Sequence, residues 1–244
     1  MSRQKWMPLA VGIGILILIA LFIYGCSNLF GEKKGDDYVV KGVDLSAYQG
    51  NIDWKVLSEQ GIDFAYIKAT EGKDFVDEQF KKNWEASHKT AVKVGAYHFL
   101  SFDSTGKDQA KNFINNVPVS NKNLPPVVDM ELYGVYQTTP MEKEKVKVIL
   151  DEFLKEIENT YKVKPIIYTN QNVFNLYIGT DYKDYKIWIG DLDNNEPKTL
   201  PNGNEYTFWQ YSQRNVLEGY KGTEKFIDMD IYNGTYNKFI KEFF

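Results

Sequence analysis

Eight short apolar runs, separated by polar stretches, recur along the chain from residue 39 onward, and this alternation restricts the fold more than any other feature. The runs are VVKGVD (39–44), FAYIKAT (64–70), VGAYHFL (94–100), PPVVDMEL (125–132), PIIYTN (165–170), KIWIGDL (186–192), TFWQYS (207–212) and FIDMDIY (226–232). Their length and their β-branched and aromatic content predict strands. Helical patterns fall between the first five runs: DWKVLSEQ (53–60) with Asp53 as its cap, DEQFKKNWEASHKTA (77–91), a stretch around Asp108 to Val117, and Pro140 to Tyr161. In the last of these Val146, Ile149, Leu150, Phe153, Leu154 and Ile157 form one apolar stripe. Strand–helix alternation of this kind builds βα units and a parallel sheet. The last three strands have only short or turn-rich connections, such as DNNEPKTLPNGNE (193–205). The expected fold is therefore α/β: an irregular (β/α) TIM-like barrel with about eight strands and fewer than eight helices.

Barrels of this type place their chemistry at the C-terminal ends of the strands. Here those ends carry, in order, Asp44; Lys68, Thr70 and Glu71; Tyr97 and His98; Asp129 and Glu131; Tyr168 and Asn170; Trp188 and Asp191; Gln210 and Tyr211; and Asp228 and Asp230. The strand starts are uniformly apolar, from Val39 and Phe64 to Phe208 and Phe226. Asp129 and Glu131 are two apart in a run that reads as buried, so they share a face with Cα atoms about 6.6 Å apart. Buried carboxylates occur where something pairs with them or uses them. With Asp44 and Asp228 they make four acids arriving from three strands. Glycoside hydrolysis needs one carboxylic acid to protonate the leaving oxygen and a second carboxylate to stabilise or capture the oxocarbenium-like centre. Tyr66, Tyr97, Tyr168, Trp188, Gln210 and Tyr211 are the candidates for substrate contacts, offering ring faces and hydrogen bonds to sugar hydroxyls; the aromatic ones suit a packed core as well. His98 reads as a hydrogen-bonded structural residue, His88 as packing on a helix face, and Lys68 with Glu71 as a supporting ion pair.

Other chemistries lack their parts. No GxSxG elbow and no glycine-rich phosphate loop is present. The single cysteine, Cys26, excludes an intramolecular disulfide, and two histidines argue against a Cys/His zinc cluster. Asp44, Asp129, Glu131 and Asp228 leave an oxygen-ligated Mg or Ca site open, although no cofactor is expected. The net charge is −4 and the only arginines are Arg3 and Arg214, so no basic patch exists for nucleic acid. A monomer is expected.

Ahead of the barrel, Arg3 and Lys5 precede an uncharged apolar run of 18 residues, Met7 to Tyr24. As a helix it would extend about 27 Å, against roughly 30 Å of hydrocarbon in a bilayer. An uncleaved signal anchor, a cleaved secretory signal and a lipoprotein signal ending at Cys26 compete, and the run's length with no small-x-small site at its end favours the anchor. The basic flank holds the N-terminus in the cytoplasm, which puts the rest outside the cell membrane. Ser27 to Asp37 is a polar tether. The expected division is thus 1–25 anchor or lipoprotein signal, 26–37 tether, and 38–244 barrel.

Beyond these patterns, an ordered series of motifs carries a resemblance. DLSAYQG (44–50), Gly61, YIKATEG (66–72) with Phe75 and Asp77, GAYHF (95–99), VVDMEL (127–132), PIIYTN, FWQYS (208–212) and IDMDIYNG (227–234) resemble the signature of the glycoside hydrolase family 25 lysozymes, from about Lys41 to Asn233. The resemblance implies an N-acetylmuramidase that hydrolyses the β-1,4 bond between N-acetylmuramic acid and N-acetylglucosamine in peptidoglycan, on an irregular β/α barrel. By motif position Asp44 matches the family's first acid, Asp129 and Glu131 its DxE pair with Glu131 as proton donor, and Asp228 the acid of the closing motif. Asp230 stands where the family more often has Asn; it either adds charge to the cleft or points away, and is not carried over as catalytic. An acid at Glu131 must hold its proton, and repulsion from Asp129, Asp44 and Asp228 is expected to secure that. Asp129 stays open between a direct role and orienting the substrate's own 2-acetamido group. A barrel that binds wall sugars without cleaving them, and a chitinase-like hydrolase sharing the DxE pair, are the alternatives.

Overall fold

The computed structural model describes residues 39–244 apart from 193–196, 198 and 201, and every one of the eight apolar runs forms a strand. The strands are β1 (Val39–Leu45), β2 (Phe64–Glu71), β3 (Phe75–Val76), β4 (Lys93–Phe99), β5 (Val127–Met130), β6 (Ile166–Asn170), β7 (Ile187–Gly190), β8 (Phe208–Asn215) and β9 (Ile227–Thr235). Among the described residues, eight of them follow one another as β1-β9-β8-β7-β6-β5-β4-β2, and pairing of β1 with β2 closes the ring. The ninth, the two-residue β3, folds back on the outer end of β2. The result is an α/β barrel.

One strand breaks the expected parallel pattern. β9 runs antiparallel to both its neighbours, β8 and β1. Residues 216–226, with no helix among them, turn the chain over at the mouth, so β9 starts there and descends. Asp228, expected at the end of a strand, is therefore the second residue of one. It still reaches the mouth, in register with Asp44.

Six α-helices are present among the described residues: α1 (Trp54–Ser58), α2 (Phe80–Ser87), α3 (Gly106–Asn116), α4 (Lys143–Tyr161), α5 (Gln171–Val173, continued by a π turn over Phe174–Ile178) and α6 (Tyr236–Phe243). Asp53 caps α1 as expected, its Oδ1 accepting from Val56 N. On α4, Val146, Leu150, Phe153, Leu154 and Ile157 are buried and Ile149 lies at the margin of the same stripe, each buried side chain contributing about 1.5–3 kcal/mol. α2 is shorter than the pattern predicts. Its expected first residue, Asp77, instead accepts hydrogen bonds from Ala47 N and Gln79 N, tying the chain after β1 to the chain before α2. His88 stands just past the helix end; it is exposed, its ring tilted 57° against that of Trp84, and it is hydrogen-bonded to Trp84 O and Asn123 Oδ1.

Alternation along the strands sends one set of side chains between barrel and helices and the other into the barrel. Inside, Val40, Phe64, Val127, Ile166, Phe208 and Tyr232 pack with Phe239 of α6, which closes the floor. Two glycines make room for the interior rings. A Cβ on Gly42 would fall 2.3 Å from the Phe64 ring, and one on Gly95 would fall 2.2 Å from the Tyr66 ring. Among the described residues no helix is long and apolar enough to cross a membrane. The run Met7 to Tyr24, Cys26 and the tether Ser27 to Asp37 lie outside the described residues.

Candidate active site

Above the aromatic floor, the mouth of the barrel opens into a cavity of about 470 Å³. Asp44 from β1, Asp129 from β5, Glu131 just after β5, and Asp228 from β9 all line it, as do Lys68, Tyr97, Tyr168, Trp188 and Gln210. The four acids that the motifs single out are thus brought together, as are four of the six candidate contact residues. Tyr66 and Tyr211 are not. Tyr66 faces inward, but one layer below the cavity, where it is 0% exposed and its hydroxyl reaches Pro125 O at 3.3 Å. Tyr211 follows Gln210, so strand alternation turns it away; it packs half-buried against Trp209.

Gln210 is the hub. Its Nε2 donates to Asp44 Oδ2 at 2.8 Å and lies 3.4 Å from Asp228 Oδ2, while its Oε1 accepts the Tyr168 hydroxyl at 2.9 Å. The Tyr168 oxygen also stands 3.5 Å from Glu131 Oε1. Lys68 pairs with Glu71 at 2.6 Å and lies over the Phe75 and Phe99 rings, the expected ion pair at the cavity wall. His98 is structural: 0% exposed, it bonds Thr70 Oγ1 and Gln109 Oε1 and stacks on Phe153. Burial lowers its pKa to about 4, so it is neutral.

Five carboxyls in so small a space do not ionise together. Burial is the leading cause for each: it raises Asp44 to about 6 and Asp228 to about 8, and lifts Asp129 and Asp230 well above the usual carboxylate range. Glu131 and Asp44 push Asp129 further up, and Lys68 opposes them. For Glu131 the leading cause is desolvation by burial; Tyr168 and Lys68 partly counter the rise, and repulsion couples it to Asp44, Asp129 and Asp228. One oxygen of Asp129, Oδ1, is buried with no hydrogen-bond partner in the protein. No group of three or more His, Cys, Asp or Glu among the described residues is arranged to hold a metal ion.

Several lining residues escape sequence reasoning: Tyr48, Phe99, Gln213, Arg214, Glu224 and Phe226. Tyr48 stands in the DLSAYQG motif and carries that signal. Gln213, Arg214, Glu224 and Phe226 belong to the end of β8 and the connection to β9, and reading the last two strands as a hairpin over the mouth would have found them. Asp230, neither placed nor dismissed by its motif, lies beneath the cavity with its Oδ1 accepting the Trp188 indole N–H at 3.0 Å.

Comparison with known proteins agrees with this geometry. The model of glycosyl hydrolases family 25 matches residues 43–220. Lysozyme M1 of Streptomyces globisporus is 31% identical over 211 residues, which is 80% of this chain and 68% of that protein. The YegX protein of Escherichia coli (strain K12) is 31% identical over 96% of this chain and 92% of its own length. A family 25 glycosyl hydrolase from Bacillus anthracis superimposes with a TM-score of 0.79 at 44% identity, covering 85% of this chain and 94% of that one. A match that begins beside Asp44 and runs through Asp129, Glu131 and Gln210 takes in most of the barrel, and the chain belongs to glycosyl hydrolases family 25.

Proposed function

We propose that the chain is a lysozyme that hydrolyses the β-1,4 bond between N-acetylmuramic acid and N-acetylglucosamine in peptidoglycan, with Glu131 as general acid. The observation that carries this is a carboxyl at the mouth of a barrel whose pKa is raised by burial, two residues from a second buried acid. Relatives named lysozyme and N,O-diacetylmuramidase support the choice of substrate. Glu131 gives its proton to the glycosidic oxygen as the bond to C1 of the muramic acid breaks. The substrate's 2-acetamido oxygen closes on C1, and Asp129, whose Oδ1 has no partner in the protein, takes the acetamido N–H. Water then attacks C1 as the bond from C1 to the acetamido oxygen breaks and the acetamido group is restored with its N–H, and the water's proton goes to the Glu131 carboxylate, which restores the acid.

Glu131→Gln removes the proton donor and leaves the cavity's shape, so clearance of purified peptidoglycan should fall by about 10²-fold or more with the melting temperature close to that of the wild type. A variant that still clears walls rules Glu131 out. Reducing ends appearing on N-acetylmuramic acid identify the bond, and chitin oligomers offered in parallel expose a chitinase-like preference.

The anchor reading extends the proposal to location. Arg3, Lys5 and the uncharged run Met7 to Tyr24 support a membrane-held enzyme, 1–25 in or at the bilayer and 26–37 as tether, that works on the wall outside the cell. Intact mass of the membrane-extracted protein tests it: a retained anchor shows the full chain, whereas a lipidated Cys26 shows the loss of the first 25 residues.

A further inference from the structure

Asp230 takes no part in the steps above, yet its surroundings are unusual. It is 0% exposed, its Oδ1 accepts from Trp188, its Oδ2 is buried with no donor to accept from, and its carboxyl lies within hydrogen-bonding reach of the Asp44 carboxyl. The titratable groups close enough to interact with it are Asp44 on β1, Asp228 on its own strand, and Tyr66, Tyr168 and Tyr211. No lysine or arginine among the described residues pairs with it. A carboxylate has about four lone-pair sites to satisfy, and here one indole N–H would serve all of them beside two further acids. A neutral carboxylic acid resolves the mismatch, because its single O–H has one strong acceptor in reach, Asp44.

We infer that Asp230 is a neutral acid whose O–H is donated to Asp44, a positioning residue that holds Asp44 as an anion aimed into the cavity. The inference rests on reading Asp44 as part of the hydrolytic site. It gives the polar network a direction. From below, the Trp188 N–H points to Asp230 and the Asp230 O–H to Asp44; from the side, the Tyr168 O–H points to Gln210 and the Gln210 N–H to Asp44. Asp44 receives donors from both branches. The two carboxyls respond in opposite senses to their shared bond: it raises Asp230, already lifted by burial, and it offsets part of the desolvation of Asp44.

An amide has the same shape and can make the same two bonds, donating N–H to Asp44 and accepting from Trp188. Asp230→Asn is therefore expected to keep turnover on purified peptidoglycan within about threefold of wild type, whereas Asp230→Leu, with the same branching but no donor, loses about tenfold or more in kcat. The Leu variant also moves the acidic limb of the pH profile to higher pH, because Asp44 becomes harder to ionise. Carboxyl 13C NMR of the aspartate-labelled wild-type protein reads the proton without any turnover, with the Asp230 signal identified by its loss in Asp230→Asn. The signal is expected to stay at the protonated shift at neutral pH. An Asp230 carbon at the ionised shift there, or an Asn variant as impaired as the Leu variant, overturns the inference. Folded wild-type protein that releases no wall fragments overturns the hydrolase reading instead, and the NMR result still judges Asp230.

Discussion

The Tyr168 hydroxyl stands between two groups that depend on it differently. It is bonded to Gln210 at 2.9 Å, which orients the amide for Asp44, and at 3.5 Å from Glu131 it lowers that carboxyl's pKa. Tyr168→Phe removes both effects. Glu131 then holds its proton to higher pH, so the alkaline limb of the lysis profile moves up, while kcat at the optimum falls by about tenfold as Gln210 loses its partner. A limb that stays in place or moves down refutes the link. The tyrosines also mark what a sequence can convey at this scale. Period-2 alternation identifies inward residues, and Tyr66 is indeed inward; but depth in the barrel depends on stagger between strands, which sets Lys68 and Tyr97 in one layer and Tyr66 below them. The alternation that admits Gln210 should have rejected Tyr211. The leading part that burial plays in raising Glu131 was hidden for a related reason, since burial is a property of the closed barrel and not of the motif.

Strand existence was legible at the level of elements because each run is short, apolar and bounded by polar residues. Strand direction was not. Nothing in the alternation of FIDMDIY distinguishes a strand that climbs from one that descends, and the missing crossover helix before it does not decide the question either, since β7 and β8 are parallel with no helix described between them. Two-residue β3 leaves no periodic signal at all. Where elements press on one another, single atoms decide stability. β4 crosses the Tyr66 ring at Gly95, where a Cβ would fall 2.2 Å from the ring and 3.0 Å from Leu124 Cβ. That ring is wedged among Phe64, Trp188 and Phe208 and has nowhere to go. Gly95→Ala is expected to cost about 1–3 kcal/mol, seen as a lower urea midpoint at unchanged slope. An unchanged midpoint would show that the interior can yield.

For the whole molecule, the acid cluster ties stability to pH. Asp44 at about 6, Asp228 at about 8, and the higher Asp129 and Asp230 keep their protons in the fold at pH values where the unfolded chain has released them. The contribution of each is complete below its unfolded pKa, about 3.9 for an aspartate, and is lost as pH rises through the folded value. His98 acts in the opposite sense. Its pKa of about 4 lies below the ordinary 6.5, so unfolding takes up a proton between those values and the His98 share is lost as pH falls. The two trends oppose one another between about pH 4 and 6.5 and separate above it. Between about pH 6.5 and 8 the melting temperature should fall, by up to about 2–4 °C per pH unit for each proton released. Asp228→Asn flattens that slope; a melting temperature that rises across the window contradicts the assignment.

The descending β9 has one more consequence. β1 begins at Val39 opposite Thr235, where β9 ends, and Phe244 lies under Lys93 at the start of β4, its ring 4.9 Å from Nζ. Residues 39 and 244 therefore both leave the barrel at the end away from the acids. A bead, a display scaffold or a fused binding module joined to the barrel at either position attaches to the closed base of the cup and leaves its rim unobstructed, which suits the barrel to immobilisation through either position.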